Sequence, residues 1–349
     1  MQNEIKPVKW LIDSKKNGSL IVDNSFQRNY VWSTKDQIKL IETVLLGFSI
    51  PEIYLYDKLV NPDTGDSITS IIDGQQRIGA IYDYINEEFT LQSRFLKSGD
   101  SSFANKKFSQ LSPSEKTRIW SYPFSARVIN SDVERDDIVE LFLRLNATDK
   151  SLNPQELRNA EFNGEFVKQA EKISEFDFWK KIFTPSKVRR MNDIEFISQI
   201  LIYFRYGIEG DLNQDSINKA YDMYNKEYPK KEQDFTRFQE IINNLDSLTD
   251  HKDILGFIKK VTHLYTVIIV MDYLIRNNIV ISEEIAQRLN VFSQNVIAND
   301  ESIGDISMEE ERDIEEYLKL SLEGTKRKSN RVKRVNILKN FLLREKTIL

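Results

Sequence analysis

The feature that most constrains this chain is a change of hydrophobic period near residue 165. Before it, short runs that alternate apolar and polar residues are interleaved with runs of helical spacing. After it, only the helical spacing continues. A period of two places alternate side chains on the two faces of a sheet, whereas a period near 3.6 makes one stripe along a helix. The reading is therefore α+β: a mixed domain over 1–165, followed by an all-helical domain over 166–349. A length of 349 residues is also long for one core and fits two.

Local signals place the elements. Ser33-Thr34-Lys35-Asp36 is a helix start with Ser33 as cap, Ile38, Ile41 and Leu45 keep one apolar face, and Gly47 ends it. Residues 50–56 read as a strand, and a turn-rich stretch over 61–66 leads to a second strand over 68–72. A helix follows over 75–85, then a strand over 124–129. A helix opened by Ser131 and Glu134 runs to about 145, and another is opened by Asn153, Pro154 and Glu156. In the second half, Ile194, Ile197, Leu201 and Phe204 share a helix face. Ile254, Phe257, Val261, Leu264 and Ile268 repeat that spacing, and Ile285, Leu289 and Phe292 do so more weakly.

Composition narrows the chemistry. The chain has no cysteine, which excludes disulfides, thiolate zinc sites and cysteine nucleophiles. Its two histidines, His251 and His263, cannot assemble a multi-histidine metal centre and lie in helical territory, where a structural role is expected. The net charge of −5 leaves any nucleic-acid contact to a local patch. The N-terminus lacks the layout of a signal peptide, and the longest apolar run stops at Asp272, short of a bilayer. These features lead us to expect a soluble, cytoplasmic protein with no membrane partner.

Four segments carry candidate chemistry. In Asp73-Gly74-Gln75-Gln76-Arg77 a strand ends at an acid and a glycine, and a helix begins. A helix N-terminus offers amide donors and a partial positive charge to phosphate, and Gly74 lets a ligand approach the backbone. Arg77 offers a forked donor, and Asp73 a ligand for magnesium or a hold on water. A second reading stands beside this one: Asp73 with Gln76 three residues later also spells a capping box, which needs no ligand. In Phe26-Gln27-Arg28-Asn29-Tyr30-Val31-Trp32, large aromatics surround a polar cluster and serve either a core or a stacked base. Arg144-Leu145-Asn146, with Glu156-Leu157-Arg158-Asn159-Ala160, places polar residues between two capped helices. Finally, Lys326, Arg327, Lys328, Arg331, Lys333 and Arg334 form a cluster of six bases without an acid, either a solvated loop or a nucleic-acid contact.

The first three segments, in this order, resemble the N-terminal domain of GmrSD-type restriction endonucleases over roughly residues 5–165. The resemblance implies a ParB/sulfiredoxin-like fold with a phosphate-binding strand-to-helix turn. It also implies hydrolysis of a nucleoside triphosphate with magnesium, gating cleavage of modified phage DNA by a separate HNH nuclease domain. Asp73 and Arg77 would be catalytic, with Asp73 facing magnesium. Gly74, Gln75 and Gln76 would bind the nucleotide, completed by Gln27 and Arg28. The chain departs from the family at Ile78-Gly79-Ala80-Ile81, where relatives often continue Leu-Thr-Thr-Leu, and no HNH-like segment is found after 165. The expectation is a nucleotide-binding, NTP-hydrolysing regulatory component of an anti-phage system, partnered by DNA and a separate nuclease subunit. The alternative is a non-catalytic DNA-binding or adaptor module of the same fold. Cleavage of DNA by this chain alone is the least supported, since Asp73 has no evident second metal ligand.

Overall fold

The computed structural model describes residues 1–22, 32–57, 67–147, 152–298 and 306–344, in two compact units, Met1–Glu161 and Phe162–Leu349. The first unit runs β1 (Gln2–Pro7), α1 (Val8–Lys16), β2 (Leu20–Val22), α2 (Thr34–Leu45), β3 (Ile53–Asp57), β4 (Thr69–Asp73), α3 (Gln75–Ile85), α4 (Pro113–Trp120), β5 (Pro123–Ile129), α5 (Arg135–Ala147) and α6 (Pro154–Glu161). Its strands form one mixed sheet in the order β1-β5-β3-β4-β2. β1 is antiparallel to β5, β5 parallel to β3, β3 antiparallel to β4, and β4 parallel to β2.

Alternation along the strands sends side chains into two apolar layers. Ile53, Leu55, Ile71, Phe124 and Ala126 pack with residues of α1 to α4, among them Leu11, Ile41, Ile78, Ile81 and Ile119. Ile72 and Ile129 face the other way and meet Ile138 and Phe142 of α5 and Ala160 of α6. The capped helices start much as their sequences dictate. Ser33 and Asp36 form a reciprocal capping box at α2, and Asn153 Oδ1 accepts from the amides of Gln155 and Glu156 at 2.9 Å. α5 differs: it begins at Arg135, one turn beyond Ser131, which sits in a turn where the amide of Val133 donates to the carbonyl of Asn130. The connection read over 61–66 lies outside the described residues.

β1 shows no apolar alternation to read. Ile5 is exposed, and the strand exists because its backbone pairs with β5 over six residues. An edge strand of this kind is specified by its neighbour's free donors and acceptors.

The second unit has helices and no strand among its described residues: α7 (Glu165–Ser174), α8 (Phe178–Ile182), α9 (Pro185–Arg189), α10 (Asn192–Tyr206), α11 (Gln214–Met223), α12 (Lys231–Ser247), α13 (Lys252–Ile258), α14 (Val261–Arg276), α15 (Glu283–Ala298), α16 (Met308–Leu322) and α17 (Lys328–Leu343). α10 and α14 are buried on nearly every side, so they read as continuous apolar runs rather than stripes. The spacing from Ile254 to Ile268 suggests one helix, but the chain bends by 110° between α13 and α14, with Lys260 in extended backbone. No proline or glycine marks that bend. The turn lets both apolar faces enter one core, with Ile254, Phe257, Leu264 and Ile268 all buried. No single helix among the described residues is long and apolar enough to cross a membrane. α13 and α14 reach that length only as a bent pair.

Candidate functional site

Asp73 ends β4 and Gln75 begins α3, so Gly74 alone makes the connection. Its φ of +103° lies in the left-handed region, and a Cβ added there would sit 2.4 Å from Cγ2 of Ile53. Glycine is required on both counts. This geometry also decides between the two readings of the motif as a cap. The helix is capped by Gly74, which has no side chain to offer, and the Asp73–Gln76 capping box does not form. The start of α3 therefore keeps its helix-dipole charge without a side-chain cap.

The Asp73 carboxylate is turned to a different partner. Its Oδ2 accepts from Nη2 of Arg77, one helical turn on, while Arg77 Nη1 donates to the carbonyls of Pro51 at 2.6 Å and Glu52 at 2.8 Å. Arg77 thus ties the end of β4, the first turn of α3 and the entry to β3 into one piece. The structure gives this guanidinium protein partners, not the open fork that the sequence suggested. Asp73 Oδ1 accepts no bond among the described residues.

Three further residues, missed by sequence reasoning, extend this network. Glu52 accepts from the Tyr54 hydroxyl at 2.8 Å and from Arg127 Nε at 3.0 Å. The Tyr54 hydroxyl, and then Arg127, hold the Glu52 carboxyl below its ordinary range. Burial, followed by the bond to Glu52, pushes the Tyr54 hydroxyl up. Tyr54 is registered with both Asp73 and Arg127 across the sheet, so the pleat brings these groups to one level. The available signal was a charged Arg127 within the alternating run from Phe124 to Ile129.

Gln76 Oε1 accepts from the backbone amide of Trp32 at 3.0 Å, which joins the end of the aromatic segment to the motif. Gln27 and Arg28, expected to complete the site, lie outside the described residues. Gln75 Oε1 is sealed from solvent with no donor among the described residues. Arg144 is exposed and pairs with Glu140 along α5, whereas Arg158 is buried and donates to Gln155 at 3.0 Å. The Asn146 side chain lies outside the described residues.

For magnesium, the donor set is poor. Asp73 is one carboxylate with one oxygen already held, both oxygens of Glu52 are engaged, and no cluster of three metal-ligating side chains exists among the described residues. These residues do not fit a protein-built magnesium centre. An uncapped helix start beside a glycine fits an anion.

The basic cluster takes a form its spacing did not disclose. Arg331 and Arg334 are only 2% and 1% exposed. Arg331 donates to the carbonyls of Lys326 at 2.6 Å, Ile208 at 3.2 Å and Gly210. Arg334 donates to those of Leu320 at 2.7 Å and Thr325 at 2.8 Å. Two of the six expected nucleic-acid contacts are thus core residues beyond the reach of a phosphate backbone. Lys326 pairs with Glu195, Lys328 with Glu209 and Lys333 with Glu316, and Arg327 has no carboxylate partner among the described residues. His263 is buried as well: it stacks on Phe257 at 4.4 Å, its Nδ1 lies 3.1 Å from the Tyr317 hydroxyl, and burial pushes it down to about 3. It is a neutral core residue.

Residues 8–163 match the family model described as the GmrSD restriction endonuclease N-terminal domain. The first unit is a GmrSD-type N-terminal domain. No curated protein and no solved structure matches the chain. The family match begins at the first residue of α1 and ends two residues past α6, so it takes in the β4–α3 turn, Trp32 and the Glu52–Arg127 pair. The match sets this GmrSD-type domain in a restriction-like defence context.

Proposed function

We propose that the GmrSD-type domain binds the phosphates of a nucleoside triphosphate at the β4–α3 turn and hydrolyses it, as the regulatory part of an anti-phage defence system. The observation that carries this reading is the start of α3, capped by a glycine instead of a side chain and belonging to a domain of this family. Helix amides there receive phosphate oxygens, and the helix dipole offsets their charge. Asp73, anchored through Oδ2, keeps Oδ1 to orient an attacking water. Arg77 holds Asp73 and the β3 entry in place, so in this reading it is a positioning residue. Cutting of DNA is left to a separate nuclease.

The test is titration of the purified chain with each nucleoside triphosphate and magnesium, together with phosphate release. Binding and turnover by wild type are expected, with binding kept and turnover lost in Asp73→Asn. Arg77→Ala should lower affinity about tenfold by loosening the turn. A folded wild type that neither binds nor turns over any triphosphate ends the reading.

A further inference from the structure

We propose that the helical unit carries a second binding site, for a nucleoside monophosphate, in a cavity walled by α10, α12, α14 and α17. The cavity measures about 320 Å³, within the range of small-molecule clefts. One wall is the face of α17 formed by Val332, Val335, Asn336 and Lys339, at the i, i+3, i+4, i+7 spacing of a single helix side. Facing it are Tyr203 and Phe204 of α10 and Tyr273 and Arg276 at the end of α14.

The charges in this cavity divide into two kinds. Arg237 is already neutralised: its Nε and Nη2 each donate to Asp272 at 2.6 Å, and Asp272 also accepts from the Tyr203 hydroxyl at 2.6 Å. Its guanidinium lies 4.1 Å from the centre of the Phe204 ring. Together these residues form a fixed, electrically balanced aromatic floor. Arg276 and Lys339 have no carboxylate partner among the described residues, and the Lys339 ammonium lies 5.0 Å from the centre of the Tyr273 ring. Tyr273 is 37% exposed, unlike the buried tyrosines of this core.

Two uncompensated cations match a phosphomonoester, which carries about −1.5 to −2 at neutral pH, better than a carboxylate with a single charge. Flat rings facing a wall that holds Val332 and Val335 match a base, which stacks on aromatic faces. A sugar of modest size spans the two. The described lining residues all belong to the second unit, so this site is tested independently of the β4–α3 turn.

The experiment is calorimetric titration of the full chain with AMP, GMP, CMP and UMP, and with inorganic phosphate and adenosine as half-ligands. At least one monophosphate should bind saturably, about tenfold or more tighter than either half-ligand. The double variant Arg276→Ala/Lys339→Ala should weaken that binding about tenfold or more with an unchanged melting temperature. Tyr273→Ala should erase the preference for nucleotide over phosphate. No saturable binding, binding of phosphate as tight as that of the nucleotide, or affinity unchanged in the double variant would each overturn the proposal. Binding lost in Gly74→Ala but kept in the double variant would assign the ligand to the α3 turn and overturn this second site alone.

Discussion

Arg77 in the first unit and Arg331 with Arg334 in the second have similar sequence contexts: each is a forked cation that follows a polar residue, Gln76, Asn330 or Lys333, and reads as available to a phosphate. In the fold all three donate to backbone carbonyls of their own chain. The difference lies in what surrounds them. Arg77 also holds a carboxylate and stands one turn into a helix whose first residue offers no cap, so an anion-binding end remains beside it. Arg331 and Arg334 are sealed among Tyr265, Thr266 and Tyr317, and they donate to the carbonyls of loops and a helix end. An arginine read from sequence is a donor set; which acceptors it meets is a property of the neighbourhood.

The sharpest way to break this comparison is to remove the buried fork. Arg334→Met should cost the second unit about 3–5 kcal/mol in denaturant unfolding, because two backbone carbonyls lose a charged donor. A loss below about 1 kcal/mol would return Arg334 to the role of a free cation. Next comes Gly74→Ala, expected to cost about 2–4 kcal/mol from left-handed strain and the collision with Ile53. Adding Ile53→Ala should make the double variant less damaged than the sum of the singles, and strict additivity would show that the collision does not matter.

Acid should distinguish the two units by where their stability begins to fall. His263 in the second unit is pushed down to about 3 from 6.5, so below pH 6.5 the unfolded chain takes a proton that the folded one refuses. Its contribution is present above 6.5 and is lost towards pH 3, at roughly 1.4 kcal/mol per pH unit. His263→Gln should remove that slope. In the first unit Glu52 is held below 4.5, so its contribution is kept above that value and lost only as pH falls through the carboxylate range. Glu52→Gln should flatten that later limb, and an early acid transition insensitive to His263→Gln would contradict the assignment. The smallest effect belongs to the exposed, paired lysines. Alanine at Lys326, Lys328 or Lys333 should change stability by less than about 0.5 kcal/mol each, measured by thermal melts.

Elements whose signals are local were the legible ones. The Ser33 and Asn153 caps and the helix from Gln75 to Ile85 could all be read from neighbours in the chain. β1 and the bend between α13 and α14 were not, because the first depends on pairing with β5 and the second on where two apolar faces find one core. The candidate site was half legible. The string from Asp73 to Arg77 stood out, but Glu52, Tyr54 and Arg127 come from other strands and join it only through sheet register.

By itself the sequence determined the change from sheet to helix, the absence of cysteine chemistry, the strand-to-helix glycine and the family of the first domain, since periodicity, composition and motif order are carried in the chain. Tertiary structure alone decided that Gly74 rather than Asp73 caps α3, that Arg77 clamps the turn, and that Arg331 and Arg334 belong to a core. The physical reason is that a hydrogen-bonding group is defined by its partner, and these partners lie as much as 123 residues away along the chain.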